Sequence, residues 1–212
     1  MSHDQDPFKG RAENYDAESI KCQWHGPSVI FGMMYPHVNP GESLLDLGIG
    51  TGLGARLFHK AGLKIYGLDS SDSMLVVCRK NHSSFNLMKH DLQAMPWPYD
   101  NSSFNHVISV GVIHLISDLH AVLLEISRIM KPGGFFGFDY YPYYSSNPDN
   151  FLELKKGIYE YYNAEYDHYC YRHSPDYIAR LLTELRFSMI TETEFLASKD
   201  QKKYFKTVIS RH

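Results

Sequence analysis

Apolar positions follow two different spacings along residues 43–140. Five short apolar runs, at residues 43–47, 64–68, 85–89, 105–110 and 134–140, have the length of buried strands. The segments between them carry apolar residues three and four positions apart. One such segment holds Leu119, Val122, Leu123, Ile126 and Ile129. Strands that alternate with helices predict βαβ units, a mostly parallel sheet and hence an α/β fold.

Helices are expected in the segments that separate these strands. We predict helices at residues 53–61, after the capping sequence Ser71-Asp72-Ser73, and at residues 118–130. Beyond residue 140 we predict a helix near residues 150–162 and another near 175–185. Two strands at 187–196 and 204–210, joined by a turn at 199–201, have the pattern of a hairpin.

Length and composition are those of one globular domain. The chain has 212 residues, of which 43% are hydrophobic and 21% charged, and one core serves chains of up to roughly 250 to 300 residues. The first residues are polar and acidic, so we expect no signal peptide. No apolar stretch approaches the roughly 20 residues of a membrane span, so we expect a cytoplasmic location. Three scattered cysteines agree with a reducing compartment. The formal charge of −3 favours neither a nucleic-acid partner nor a membrane partner.

A glycine-rich turn between the first strand and the first helix is the main chemical motif. In the run Asp46-Leu47-Gly48-Ile49-Gly50-Thr51-Gly52 three glycines stand at alternate positions. Glycines let a backbone approach a ligand closely, and the next helix start offers unpaired N–H groups. Gly50, Gly52 and Ala55 also satisfy the dinucleotide pattern G-x-G-x-x-A, so the loop alone leaves a nicotinamide cofactor open.

Two acidic residues follow the next two strands. Asp69 ends the second strand, where a carboxylate can accept hydrogen bonds from both ribose hydroxyls of an adenosine, in NAD enzymes as well. Asp91 follows the third strand, where a carboxylate can accept from an adenine amino group, and this addition favours an adenosyl ligand. The structural alternatives are a helix cap for Asp69 and an ordinary turn residue for Asp91.

These residues, with the turn Lys131-Pro132-Gly133-Gly134, resemble the class I S-adenosylmethionine-dependent methyltransferase family in order and spacing over about residues 14–140. The resemblance implies a Rossmann-like three-layer sandwich with a seven-stranded, mostly parallel sheet and one antiparallel strand. We expect a single domain over residues 1–212. Its parts are an N-terminal helical cover (1–42), a cofactor-binding core (43–140), an aromatic-rich cover segment (141–174), and a C-terminal helix and hairpin (175–212).

The same resemblance implies S-adenosyl-L-methionine as the cofactor and assigns binding residues. The main ones are Gly48, Gly50, Gly52, Asp69 and Asp91. In addition, Asp46 would orient the loop, Ser70 and Met74 would flank the ribose and adenine, and Leu92 would line the adenine pocket.

The N-terminal sequence is similar to the helix that covers the cofactor in the small-molecule branch of the family. Ala12-Glu13-Asn14-Tyr15-Asp16 and Gln23-Trp24-His25-Gly26-Pro27 carry this likeness, which is greatest to the Williams-Beuren-region methyltransferase-like group. In such proteins the helix covers the methionine half of the cofactor, which makes Tyr15 and Trp24 candidates for its roof. Amphipathic packing alone is the alternative, at even weight for Trp24.

The acceptor side is expected after the fourth strand and after the fifth. A sulfonium donor is already activated, so the protein needs chiefly to align a nucleophile and exclude water. His114 follows the fourth strand and is a candidate base, with a structural or cofactor-lining role as the favoured alternative. The loop lacks the Asp/Asn-Pro-Pro-aromatic signature of nucleobase amino methylation. Residues 140–172 hold 10 of the 16 tyrosines, which are candidates to roof an acceptor pocket.

The leading interpretation is an S-adenosylmethionine-dependent methyltransferase that acts on an oxygen, nitrogen or sulfur atom of a small-molecule acceptor. A non-catalytic adenosyl-binding regulatory protein is the first alternative, and an NAD-dependent oxidoreductase is a weaker one. No metal is expected, because His168-x-Cys170-x-x-His173 lacks a fourth ligand at a recognised spacing.

Overall fold

Buried apolar strands form the centre of the molecule, as expected for a parallel sheet that helices cover on both faces. The computed structural model describes residues 6, 8–145, 151–164, 168–198 and 203–212. Its strands are β1 (Ser43–Leu47), β2 (Lys64–Asp69), β3 (Asn86–Lys89), β4 (Phe104–Ser109), β5 (Met130–Tyr140), β6 (Leu152–Lys155), β7 (Ile158–Asn163), β8 (His168–His173), β9 (Ser188–Ser198) and β10 (Lys203–Arg211). Its α-helices are α1 (Tyr15–Lys21), α2 (Gly26–Met34), α3 (Arg56–Lys60), α4 (Asp72–Asn81), α5 (Leu119–Ile129) and α6 (Pro175–Glu184).

Seven of these strands form one sheet, in the order β3-β2-β1-β4-β5-β10-β9. β1 pairs in parallel with both β2 and β4, so the strand order reverses at β1. β10 pairs antiparallel with β5 and with β9, and it alone runs against the other strands in this described sheet. The predicted fold class is therefore confirmed. Open sheets of this kind bind ligands outside the carboxyl ends of the strands at the point of reversal.

Neighbouring residues of the central strands point to opposite layers, which gives the sheet a hydrophobic core on each face. Leu45 of β1 packs in the cluster that includes α5 and α6, whereas Leu44 packs in the cluster that includes α2, α3 and α4. The strand period of two produces this division. The three layers follow from it. No helix among the described residues is both long enough and apolar enough to cross a membrane.

The helix predicted near residues 150–162 is wrong. Described residues of this segment form β6 and β7, which join β8 in a small antiparallel sheet. Lys155 pairs with Ile158 across a two-residue turn in which Gly157 has φ +87°, a conformation that suits glycine and a hairpin. Isoleucine and tyrosine also favour strands. Residues 146–150 and the predicted turn at 199–201 lie outside the described residues.

Elsewhere most predicted elements are present with small shifts at their ends, but the turn predicted at Lys131-Pro132-Gly133-Gly134 is wrong. These residues belong to β5, which begins at Met130, and a register shift between Phe104 and His106 of β4 accommodates them. The helix predicted at residues 53–61 begins at Arg56, because residues 51–55 form turns that complete the glycine loop. The helix predicted at 118–130 runs from Leu119 to Ile129, and Asp118 caps it by accepting from the Ala121 N–H.

The small sheet is inserted between β5 and α6, and its two ends lie together. The Tyr143 N–H donates to the His173 carbonyl at 3.0 Å, and the His173 N–H donates to the Tyr141 carbonyl at 3.1 Å. His173 also ends β8, one residue before the Ser174 side chain that caps α6. The insertion thus leaves and re-enters the main domain at nearly one point.

A buried carboxylate fixes the loop that follows β3. Glu125 of α5 accepts from the Trp97 N–H at 2.7 Å and from the Arg128 Nε at 3.0 Å. Arg128 in turn donates to the Tyr99 carbonyl at 2.8 Å. The Trp97 Nε1 donates to the Leu92 carbonyl at 3.1 Å, so this network holds the segment that contains Leu92 against the core.

Replacing Glu125 by alanine tests this network. Glu125→Ala leaves the buried Trp97 N–H without its acceptor and Arg128 without its carboxylate, so we expect the free energy of unfolding to fall by about 2–3 kcal/mol. Urea unfolding monitored by circular dichroism measures the change. Glu184→Ala is the matched control: its pair with His120 is exposed, and its loss should change stability by less than about 1 kcal/mol. Equal effects of the two substitutions would contradict the network's role.

Candidate functional site

The glycine loop after β1 presents open backbone at the point where the strand order reverses. Gly48, Gly50 and Gly52 have φ values of +69°, +53° and +94°. A Cβ on Gly48 would lie 2.5 Å from the Val112 Cγ2, so this glycine is required by packing. A Cβ on Gly50 would meet nothing closer than the Gly48 carbonyl oxygen at 4.0 Å. The space beside Gly50 is therefore open to a ligand.

Asp69 links the glycine loop to the start of α4. Its Oδ2 accepts from the Gly50 N–H at 2.8 Å, and its Oδ1 accepts from the Ser71 N–H at 2.8 Å. Burial raises the pKa of Asp69, an effect that the N–H groups of Ser71 and Gly50 oppose and that the Asp6 carboxylate reinforces. A carboxylate has about four acceptor positions, so each oxygen keeps one for a further donor. Asp69 can therefore accept from the Ser71 N–H at the start of α4 and also contact a ribose.

Asp46 lies beneath the loop, at the heart of the sheet. Its side chain is buried, and its Oδ2 has no hydrogen-bond partner. The pKa of Asp46 lies well above its ordinary value, first because of burial and then because of the carboxylates of Asp69 and Asp139, while the Ala55 N–H opposes the shift. A Cβ on Gly54 would lie 2.9 Å from the same Oδ2. The loop therefore closes directly over this carboxyl group.

The remaining residues expected near the adenosine occupy the neighbouring loops. Ser70 is exposed beside Asp69, and Met74 of α4 is buried. The His90 N–H donates to the Asp69 carbonyl at 2.9 Å, which places the loop after β3 next to that strand end. Within this loop Asp91 is exposed and its Oδ1 accepts from the Gln93 N–H at 2.9 Å.

Leu92 follows Asp91 and packs in the core cluster with Leu68. Its side chain is buried, in contrast to the exposed Asp91. The hydrogen bond from the Gln93 N–H agrees with the turn-residue alternative for Asp91. The second carboxylate oxygen of Asp91 accepts no hydrogen bond from the described part of the chain.

Two carboxylates attach the N-terminal segment to this part of the molecule. The Asp6 Oδ1 accepts from the Ser71 hydroxyl at 2.7 Å and its Oδ2 accepts from the Ser73 N–H at 2.8 Å. Burial raises the pKa of Asp6, but hydrogen bonds from Ser73 and Ser71 outweigh it and lower the pKa to about 2. The Thr51 hydroxyl of the glycine loop donates to the Asp16 Oδ1 at 2.5 Å. Asp6 was missed in the sequence because an isolated acid in a polar leader carries no periodic signal.

A cavity of about 340 Å³ lies beside the crevice. From the N-terminal segment its walls include Phe8, Arg11, Tyr15, Glu18, Cys22 and Trp24. Aromatic and polar side chains from the rest of the chain close it, among them His114, Tyr141, Tyr161, His168, Cys170 and Phe205. The structure thus brings three sequence-predicted residues, Tyr15, Trp24 and His114, to one cavity.

Tyr15 and Trp24 form different parts of the cavity wall. Tyr15 packs edge-on against Phe8, with ring centroids 6.0 Å apart. Burial raises the pKa of Tyr15 to about 12, and the nearby carboxylates of Asp16 and Asp69 add to this shift. Trp24 contacts Phe205 edge-on at 5.1 Å. Tyr15 and Trp24 therefore both line the cavity, with different aromatic neighbours.

His114 stands in a 3₁₀ turn, Ile113–Leu115, directly after β4. Its ring contacts Tyr141 edge-on at 5.2 Å and Phe205 at 6.0 Å. It lines the cavity and does not point into the core beneath the sheet.

Asp139, at the carboxyl end of β5, is a site residue that the sequence analysis missed. It is fully buried, its Oδ1 accepts from the Gly111 N–H at 2.7 Å, and its Oδ2 has no partner. Burial raises the pKa of Asp139 to about 7, although the Gly111 N–H opposes this shift. Gly111 lines the cavity. The available signal was an acid inside the apolar run of residues 134–140.

Three side chains of β8 could each bind a metal ion, namely His168, Cys170 and His173, but they do not all lie on the same face of the strand. His168 and Cys170 line the cavity, whereas His173 is buried against Tyr177, with ring centroids 5.7 Å apart. The strand period of two explains this separation. Over residues 6, 8–145, 151–164, 168–198 and 203–212, no group of three or more His, Cys, Asp or Glu side chains is placed to hold a metal ion.

The buried Asp139 should make stability depend on pH. Its pKa is about 7 in the folded chain against an ordinary 3.8, so the folded state holds the proton more tightly and loses stability as pH rises between these values. Asp139→Asn imitates the protonated form. We expect the variant to gain stability relative to the parent as pH rises from about 4 to 7, by up to about 1.4 kcal/mol per pH unit.

Thermal unfolding of both proteins across this pH range measures the difference. Asp100→Asn replaces an exposed aspartate and should leave the pH profile of the parent unchanged. Parallel profiles for the parent and Asp139→Asn would show that Asp139 titrates normally.

Comparison with known proteins gives a consistent picture. Residues 45–138 match the family model described as a methyltransferase domain. Malonyl-[acyl-carrier protein] O-methyltransferase of Serratia marcescens is 33% identical over 127 residues, which cover 60% of this chain and 48% of that protein. Demethylmenaquinone methyltransferase of Tropheryma whipplei is 31% identical over 97 residues, 46% of this chain and 41% of the relative. The chain thus spans less than half the length of these two relatives.

A solved structure of similar fold covers nearly the whole chain. It is the 1,6-didemethyltoxoflavin-N1-methyltransferase of Burkholderia thailandensis with bound 1,6-didemethyltoxoflavin and S-adenosylhomocysteine. It has a TM-score of 0.73 at 12% identity, over 97% of this chain and 86% of that one. The likeness to the Williams-Beuren-region group stays a prediction. Residues 45–138 therefore match a methyltransferase domain, and the described chain has the fold of the solved structure.

Proposed function

We propose that this protein transfers a methyl group from S-adenosylmethionine to a small-molecule acceptor. The observation that carries the proposal is the Asp69 junction, where one carboxylate joins the glycine loop to the start of α4 beside an aromatic cavity. The names of the relatives also support a small acceptor. They are said to act on malonyl-[acyl-carrier protein], demethylmenaquinone and didemethyltoxoflavin.

The cofactor fits the residues on the strand-end side of the crevice. The open space at Gly50 admits a ligand against the backbone, with Gly48 and Gly52 holding the turn. Each Asp69 oxygen keeps an acceptor position for a ribose hydroxyl, because its N–H partners occupy only one position each. We assign Asp91 to the adenine amino group through the carboxylate oxygen that Gln93 does not use.

Four further residues would support the cofactor from behind or from the sides. Ser70 and Met74 would flank the ribose and adenine, and Leu92 would line the adenine pocket. Asp46, which closes beneath the loop through the Ala55 N–H, would fix the loop's orientation. We assign it no direct ligand contact.

The acceptor would occupy the cavity, with the N-terminal segment as its cover. S-adenosylmethionine supplies a methyl group on a sulfonium; the acceptor's lone pair forms the new bond to carbon as the carbon–sulfur bond breaks. Tyr15 and Trp24 would cover the junction of the two ligands and exclude water. His114 would accept the proton that the acceptor loses, or hold the acceptor by a hydrogen bond.

The cavity also bears on the alternatives. A non-catalytic adenosyl-binding protein needs no cavity for a methyl acceptor. The cavity described above is lined by side chains from the N-terminal cover, β7, β8 and the turn after β4. An NAD-dependent oxidoreductase would use the same Asp69. A screen of metabolite extracts with methyl-labelled S-adenosylmethionine separates these functions, because labelling of an extract component occurs only with a methyltransferase.

Calorimetry with S-adenosylhomocysteine tests the cofactor assignment. Asp69→Ala removes two charged hydrogen bonds to the ribose, each worth about 1.5–3 kcal/mol, so we expect a loss of about a hundredfold or more in affinity. Asp176→Ala is the matched control, because Asp176 is an exposed acid in the first turn of α6. Tighter binding of NAD than of S-adenosylhomocysteine, or an unchanged affinity in Asp69→Ala, would overturn the assignment.

Kinetics of His114 variants test the acceptor side once the screen has supplied a substrate. If His114 is the base, His114→Ala should lower turnover about a hundredfold or more with little change in cofactor affinity. If it only positions the acceptor, His114→Gln should keep much of the rate, and the turnover of His114→Gln and of the parent should depend on pH in the same way.

A product-bound structure gives the complementary result. Full turnover in both His114 variants, or a product bound with no atom near His114, would remove this residue from the reaction.

A further inference from the structure

One face of the small sheet forms a wall of the cavity. Tyr161 pairs with Cys170, and Asn163 pairs with His168 on the next rung. All four side chains line the cavity. Alternate residues of a strand share a face, so the following rung, Tyr159 with Arg172, continues the same wall.

Arg172 places a guanidinium at the end of this wall. Its guanidinium carbon lies 4.6 Å from the ring centroid of Phe151 and 5.6 Å from that of Tyr141. Tyr141 also lines the cavity, so one ring separates the cation from the cavity space. Arginine stays charged in proteins, and stacking on rings leaves its donors available for an anion.

Arg172 has no acidic partner in the described part of the chain. None of the salt bridges there includes it, and its buried Nε has no hydrogen-bond acceptor. Glu153, across the sheet, accepts from the Gly157 N–H at 3.1 Å. A partly buried cation without a counter-charge costs free energy, and an anionic group on a ligand in the neighbouring cavity would lower this cost through the electrostatic field.

The neighbouring phenols add donors and no negative charge. Burial raises the pKa of Tyr141 and of Tyr161 far above the ordinary value, and both lie close enough to Arg172 for its charge to oppose the shift. Both hydroxyls therefore stay protonated at neutral pH. Glu18 is the acid among the residues that line the cavity, and it belongs to α1, on the cover side.

We propose, as a deepening of the function proposed above, that the methyl acceptor is an aromatic compound that carries an anionic group such as a carboxylate. Its ring lies among Tyr141, Tyr161 and Phe205, and its anion lies on the side of the cavity nearest Arg172, with the Tyr141 ring between the two charges. Stacked and edge-on contacts with these rings bind the aromatic part, and the guanidinium selects the charge. The cavity of about 340 Å³ is small, at the lower end of the roughly 300–1,000 Å³ of ligand pockets.

Three probes of nearly equal shape test the charge preference. Benzoate is an anion, benzamide is neutral, and benzamidine is a cation near neutral pH. Their dissociation constants are measured by ligand-observed NMR on the whole chain saturated with S-adenosylhomocysteine. We expect benzoate to bind at least about tenfold more tightly than benzamide, a ratio equal to about 1.4 kcal/mol, and benzamidine to bind most weakly.

Variants of Arg172 assign the preference to this side chain. Arg172→Gln should lose about tenfold in benzoate affinity and stay within about twofold for benzamide, whereas Arg172→Lys should restore part of the loss. Arg180→Gln is the matched control, because Arg180 stacks on Tyr177 at 5.7 Å but is exposed on α6. It should bind all three probes as the parent does.

The affinity for S-adenosylhomocysteine, measured on the same samples, separates the two proposals. Loss of that affinity in the parent protein counts against the proposed function itself. If S-adenosylhomocysteine binds, three results each overturn the anionic acceptor alone. They are tighter binding of benzamidine than of benzoate, no binding of any probe, and an unchanged ratio of benzoate to benzamide in Arg172→Gln.

Discussion

The N–H groups of Gly50 and Ser71 donate to the two oxygens of Asp69, and the cofactor side of the crevice depends on this junction. The glycine loop follows β1 and the α4 helix follows β2, so the carboxylate joins the ends of two successive βα units. Asp6 extends the junction by bonding to Ser71 and Ser73. Its charge also stands at the N-terminus of α4, where the helix dipole favours an anion.

Acidic groups are gathered on this side of the sheet, and the carboxylates of Asp69 and Asp139 both raise the pKa of Asp46 beneath the glycine loop. Arg172 lies beyond the aromatic wall, stacked on Tyr141. A sulfonium near these carboxyl groups and an anionic acceptor near Arg172 would each lie close to groups of opposite charge. Electrostatic attraction would then orient the two reactants before they make contact.

Local patterns in the sequence were sufficient for the main sheet, whereas the cofactor contacts assigned to individual residues stay predictions. The spacing of apolar residues predicted the seven strands of the main sheet, and the glycine loop with Asp69 gave the position of the crevice. The insertion was predicted wrongly at residues 150–162, because a short segment rich in leucine and tyrosine has apolar residues that suit either a helical or a strand spacing. Gly157 was the local signal for the hairpin. Asp6 and Arg172 carry no such signal, since their surroundings come from segments distant in the sequence, whereas the acid at position 139 of an apolar run was a signal that the sequence analysis did not use.

The insertion between β5 and α6 has an evolutionary consequence. Backbone hydrogen bonds among Tyr141, Tyr143 and His173 join its two ends, so the insertion connects to the domain of the seven-stranded sheet at one place. Exchange of the small sheet for another of different length or composition would leave the strand order, the glycine loop and Asp69 in place. On the proposed function, replacement of the small sheet would therefore change the range of methyl acceptors. The residues proposed to bind S-adenosylmethionine would stay the same.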